Sequence, residues 1–181
     1  MADTSNPFFA PSTLPYQLPP FADIRDEHYL PAFERGFEEH LAQIQEIADS
    51  AEEPTFENTI VAMERAGGTL ERVANVFFNK SSSDSTDFTN ELEEQIAPRL
   101  AAHQDAIRLN SALYARIKAI HDARNVSGLD AESVYLVERI FTEFTLAGAG
   151  LDDADKEKLR DYNQRLSTLT CLLYTSPSPR D

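Results

Sequence analysis

The sequence predicts an all-α protein: about six helices preceded by a proline-rich extended strap. Three observations carry that prediction. Apolar residues recur at steps of three and four along most of the chain, nothing reads as a strand, and capping or stopping residues fall at the ends of several apolar stripes.

Residues 1–25 form the strap. Pro7, Pro11, Pro15, Pro19 and Pro20 forbid a helix there, because proline has no backbone donor. Their spacing gives no PxxP, so a ligand for SH3-type domains is a poor reading. Phe8, Phe9, Leu14, Tyr16, Leu18 and Phe21 are too apolar for a free linker, so the strap is expected to lie pinned along the helices.

The helical region is expected over 26–170. Its first helix runs from Glu27 to Ser50 on a stripe of Leu30, Phe33, Phe37, Leu41, Ile44 and Ala48, with Pro31 in its first turn. The second opens near Thr55 and carries Phe56, Ile60, Met63, Leu70, Val73 and Phe77. Gly67-Gly68 kinks or divides it, and Ser81 to Ser85 is a polar turn. The third begins after Asp84 or Asp87 with Phe88, Leu92, Ile96, Leu100 and Ile107, and Pro98 predicts a bend. The fourth covers Ser111 to Arg124, capped by Asn110 or Ser111. The fifth starts at Asp130 with Val134, Val137, Ile140, Phe144 and Ala147, and stops at Gly148 and Gly150. The sixth starts at Asp152, places Asp153 and Asp155 where the helix dipole favours acids, and carries Leu159, Tyr162, Leu166 and Leu169.

The chain carries 31 acids against 16 bases, a formal charge of −15, which repels phosphate backbones and anionic lipid surfaces. Nucleic acid and membrane are therefore not expected as partners. No apolar run approaches the roughly 20 residues of a spanning helix. No basic segment followed by an apolar stretch opens the chain, and Cys171 is the only cysteine, so the cytoplasm is the expected location.

No catalytic, cofactor-binding or metal-ligating residue is assigned. His28, His40, His103 and His121 are too far apart in sequence to share a helical turn, and none is followed by glutamate, so HExxH is absent. Each histidine reads as a solvated or capping residue. Asp152 to Glu157 lacks the glycine and ligand alternation of a calcium loop and reads as a helix cap. Gly148-Ala149-Gly150 has no strand before it and reads as a helix stop rather than a nucleotide loop. Ser81 to Ser83 reads as a loop, and Glu34, Glu38 and Glu39 as a solvated face.

Several stretches, in order and spacing, resemble one family. They are NPFFAPSTLPYQLPPF (Asn6–Phe21), HYLPAFERGF (His28–Phe37), PTFENTIVAMERAG (Pro54–Gly67), VFFN (Val76–Asn79), LVERIFTEFTLAGAGL (Leu136–Leu151) and ADKEKLRDYNQRLSTLT (Ala154–Thr170). Together they resemble the amino-terminal part of the zinc metallopeptidases of the thimet oligopeptidase family, in its dipeptidyl carboxypeptidase branch. The resemblance implies a larger helical enzyme with a deep channel, one wall of which these helices help to form. It implies oligopeptide substrates, release of carboxyl-terminal dipeptides, and zinc held by downstream residues. The alternatives are a related oligopeptidase that cuts internally, or a non-enzymatic helical interaction module. The resemblance also implies that downstream helices cover the sixth stripe, which would face water without them.

The composition breaks at Cys171. The segment 171–181, CLLYTSPSPRD, back-translates without a gap to a sequence resembling a transposase end joined to a sequencing adapter. It is expected to be non-native and to pack against nothing, with the natural frame continuing past Thr170.

Overall fold

The computed structural model describes residues 6–175, and every regular element in that span is helical. Helix α1 is Asp26–Ala48. A π-helical turn, Phe56–Val61, leads into the short α2, Ala62–Arg65. Then follow α3 (Gly68–Ser83), α4 (Asp87–Arg108), α5 (Ser111–Ala123), α6 (Ala131–Leu146) and α7 (Asp153–Thr175). None of the described helices is long and apolar enough to cross a membrane.

Two apolar clusters hold α1 to α6 together, and α1 runs through both. The first joins Tyr29, Phe33 and Phe37 of α1 to Val73 and Phe77 of α3, Leu92 and Ile96 of α4, and Phe8 of the strap. Phe33 meets Phe77 edge-on, with ring centroids 5.5 Å apart, an arrangement that favours the positive ring edge against the negative face. Gly36 lets α1 and α3 approach here: a Cβ in its place would lie 2.8 Å from the Cα of Leu70. The second cluster joins Ile44 and Ala48 of α1 to Ile60, to Leu113, Ile117 and Ile120 of α5, and to Val137, Ile140 and Phe144 of α6.

The caps follow the expected chemistry at three helix starts. Asn110, Asp130 and Asp152 accept the amide protons of Leu113, Ser133 and Asp155 at 3.0, 2.8 and 2.9 Å. Beyond Leu146 the chain leaves α6 with the Ala149 amide bonded to the Phe144 carbonyl and Gly148 to Thr145, a Schellman-type stop.

Elsewhere the structure bears out, sharpens or corrects the expectation. Gly67-Gly68 divides the second helix, and its first part is π-helical. Pro31 lies in the second turn of α1, because the helix begins at Asp26; the Glu27 carbonyl it leaves unpaired belongs to an exposed residue. Ser81 to Ser83 are not a turn but the last residues of α3, where Ser82 and Ser83 donate back to the Phe78 and Asn79 carbonyls, each at 2.7 Å. Thr86, rather than Asp84 or Asp87, caps α4, exchanging bonds with Thr89 in both directions. Helix α4 continues unbroken through Pro98.

Among its described residues the strap is pinned at Asn6 to Phe9 and again at Ile24, which packs against the first cluster. Asn6 donates to the His28 carbonyl at 2.8 Å, Phe8 is buried, and Arg72 donates twice to the Phe8 carbonyl. Farther on, Leu14, Tyr16, Leu18 and Phe21 are exposed, Tyr16 at 97%, and the segment folds into a short 3-10 turn at Pro15–Gln17. Helix α7 continues through Cys171–Thr175, the first five residues of the segment read as adapter-derived; residues 176–181 lie outside the described span.

Candidate functional site

The polar residues that sequence reading singled out serve the fold. His28 sits in the first turn of α1, where its Nδ1 accepts the Arg25 amide at 3.0 Å, a capping role. His121 stacks on Phe141 with centroids 3.9 Å apart, and its Nδ1 lies 3.4 Å from Asp122. Asp155 and Glu157 pair with Lys158 and Arg160 along α7. Glu34 pairs with Arg99 at 3.3 Å and Glu38 is exposed. Glu39 is half-buried, bonded to Arg35 and to the Thr69 hydroxyl, and those bonds hold its carboxyl below the usual range. It is thus an inter-helix tie between α1 and α3 rather than part of a solvated face.

Two polar centres escaped sequence reading. The first is a histidine pair. His40 and His103, far apart in sequence, bring Nδ1 and Nε2 within 3.0 Å across α1 and α4. His103 is buried, not solvated, and stacks obliquely on Phe37. A signal existed: His40 falls between Phe37 and Ile44, and His103 between Leu100 and Ile107, at the steps of three and four that define each apolar stripe.

The second is Arg116, only 6% exposed, on the buried face of α5. Its guanidinium donates to the Ser50 and Glu52 carbonyls, each at 2.9 Å, to Asn58 Oδ1 at 3.0 Å and to Thr59 Oγ1 at 3.2 Å. These acceptors line the irregular connection after α1 and the π-helical turn. Arg116 therefore adds long-range ties to a loop that also holds local bonds, from the Glu52 amide to Ser50 and between Thr55 and Asn58. Its signal was a cation one step from Leu113 and Ile117 in the apolar stripe.

The remaining polar tie concerns α7. Lys156 is buried and donates to Ser111 at 2.6 Å, and Asn163 donates to Asp105 on α4 at 2.8 Å. Burial pushes the Asp105 carboxyl above its usual range despite that bond. Leu159 packs near Gly148, but Tyr162, Leu166 and Leu169 stand 62–63% exposed, as expected of an uncovered stripe.

Among the described residues no zinc centre is assembled. His40 and His103 direct their facing nitrogens at one another, and no group of three or more His, Cys, Asp and Glu comes together among the described residues.

No family model matches the chain. Individual relatives do. It is 44% identical over 167 residues to the dipeptidyl carboxypeptidase of Escherichia coli strain K12, a match covering 92% of this chain and 24% of that protein. The dipeptidyl carboxypeptidase of Salmonella typhimurium strain LT2 is 41% identical over 166 residues, with the same coverage. The oligopeptidase A of Escherichia coli strain K12 is 23% identical over 159 residues, or 88% of this chain and 23% of that protein. Over 92% of its length the chain is therefore similar to the dipeptidyl carboxypeptidases, and more distantly to oligopeptidase A, and it spans about a quarter of the length of the relatives it matches.

Proposed function

We propose that this chain is the amino-terminal structural part of a zinc-dependent peptidase that releases dipeptides from the carboxyl ends of oligopeptides. The observation that carries the reading is the gap in identity: 44% to a dipeptidyl carboxypeptidase against 23% to an oligopeptidase A from the same organism. The helical body built on α1 supports a wall-forming role. The bare stripe of α7 supports a further helical lobe as its neighbour. Zinc and the groups that attack the peptide belong, in this reading, to that lobe, so the chain alone neither holds zinc nor cleaves peptides.

The test is to read the source DNA beyond the codon for Thr170, express the continuous frame and incubate it with an amino-blocked oligopeptide. Stepwise loss of carboxyl-terminal dipeptides is expected from the extended protein, with none from the 181-residue chain. Cleavage only at internal bonds would favour the oligopeptidase A type of activity. A frame that continues without HExxH would leave the helical interaction module as the better reading.

A further inference from the structure

One buried side-chain nitrogen or oxygen among the described residues has no hydrogen-bond partner: Nδ1 of His103. The ring is 5% exposed, and its other nitrogen faces His40 Nδ1 at 3.0 Å. Only one proton fits between those two atoms. If His40 supplied it, neutral His103 would carry its own proton on Nδ1, leaving a buried N–H without an acceptor. If His103 supplies it from Nε2, the orphaned Nδ1 is a lone pair, which is less costly to leave unmet than a donor. The favoured tautomers follow from that difference: His103 protonated on Nε2 and donating, His40 accepting on Nδ1.

From this arrangement we infer that His40 and His103 form an acid-released clamp between α1 and α4. A second proton has no good place to go. On His40 Nδ1 it would set N–H against N–H across the contact, unless His103 moved its own proton to the enclosed Nδ1. On His103 it must occupy Nδ1, in the enclosed position without an acceptor.

The surroundings offer no compensation. On α1, Glu39 is engaged by Arg35 and Thr69, and the Phe37 ring that contacts His103 also carries the Arg99 guanidinium of α4, another cation, 5.4 Å from its centroid. Farther along α4, Asp105 is bonded to Asn163 of α7. On α3, Arg72 is bonded to Phe8 and Thr69. Before α3, Gly67 lies so close that a Cβ there would be 2.8 Å from His40 Nδ1, and its amide donates to Gln43. Burial holds His40 below its ordinary value, and burial together with the neighbouring His40 holds His103 down to about 4. As pH falls, the α1–α4 contact gives way, whereas the α5–α6 contact contains no such pair.

The full chain tests this by long-range nitrogen–proton NMR of its imidazole rings from pH 7.5 to 3.5. The expected result at pH 7 is a protonated Nε2 and a bare Nδ1 on His103, with the ring neutral until near pH 4. Amide protection in Phe33–Ile44 and Ile96–Ile107, corrected for intrinsic rate, should fall about fortyfold between pH 6.5 and 4.5. Protection in Leu113–Ile120 should change less than about threefold. His103→Leu should remove the excess loss in α1, and His103→Gln serves if the leucine variant does not fold. A proton on His103 Nδ1 at pH 7, titration near pH 6.5, or equal loss of protection in α1 and α5 would overturn the clamp. The ring measurements on the unaltered chain decide it even if neither variant folds.

Discussion

Helices α1 and α7 have the same length, 23 residues, and both carry an apolar stripe, but they meet opposite fates. The stripe of α1 is enclosed by α3, α4, α5 and the strap, so Phe33 is fully buried. The stripe of α7 touches the body through Leu159 and then turns Tyr162, Leu166 and Leu169 to water. Periodicity reports that a helix has an apolar face; it does not report whether the partner for that face lies in the same chain. Polar ties, Lys156 to Ser111 and Asn163 to Asp105, help to position α7 where apolar burial is incomplete.

The largest effect that separates the two helices is a cavity. Phe33→Ala should cost about 3–5 kcal/mol in urea unfolding, because the removed ring leaves a void inside the first cluster. A loss below about 1 kcal/mol would mean that the core around α1 collapses to fill it.

Acid should come next. Between pH 6.5 and 4 the unfolded chain takes up a proton that folded His103 refuses, so stability contributed by the neutral ring is lost as pH falls through that window. At about 1.4 kcal/mol per unit the full loss is about 3 kcal/mol, of which about 2.4 falls between pH 7 and 4.5, and urea titrations of the parent and His103→Leu chains at those two pH values measure it as their difference. Asp105, at the α4–α7 contact, works in the opposite sense. Its raised value means that the folded chain accepts a proton before the unfolded one, which adds stability as pH falls toward 3.8. Acid therefore weakens the hold of α1 on α4 without weakening this carboxyl's contribution to the α4–α7 contact.

Gly36→Ala should cost about 1–3 kcal/mol, since the new methyl meets the backbone of Leu70 rather than a side chain that can swing away. A thermal shift close to zero would show that α1 and α3 slide apart freely. The smallest effect belongs to α7: Leu166→Glu should change stability by no more than about 0.5 kcal/mol while reducing the fluorescence of a bound apolar dye. A large loss there would show that the stripe is already covered in solution.

Local chemistry made much of the fold legible. Asn110, Asp130 and Asp152 announce helix starts because the capping oxygen and the amide it receives are only three residues apart. Thr86 was obscured by two acids nearby, either of which could have capped a helix starting a few residues away. The π-helical turn and the His40–His103 pair were hidden for a different reason. Their partners lie 57–58 residues away for Asn58 and Thr59 and 63 for the rings, beyond any local window. The absence of assigned catalytic residues rested on the spacing of histidines in one dimension. The structure brings two of them together, though as partners to each other.

The Arg116 contacts also order events in time. Ser50 and Thr59 bracket a connection that leaves the ribosome long before the side chain that shapes it, since its acceptors precede Arg116 by 57 to 66 residues. Helix α1 can form as it emerges, but the turn after it has only its local bonds until α5 has been made and docked and Arg116 can tie it down. Nascent chains halted just before residue 116 should therefore be nicked by protease between Ser50 and Thr59, and chains halted well after α6 should resist.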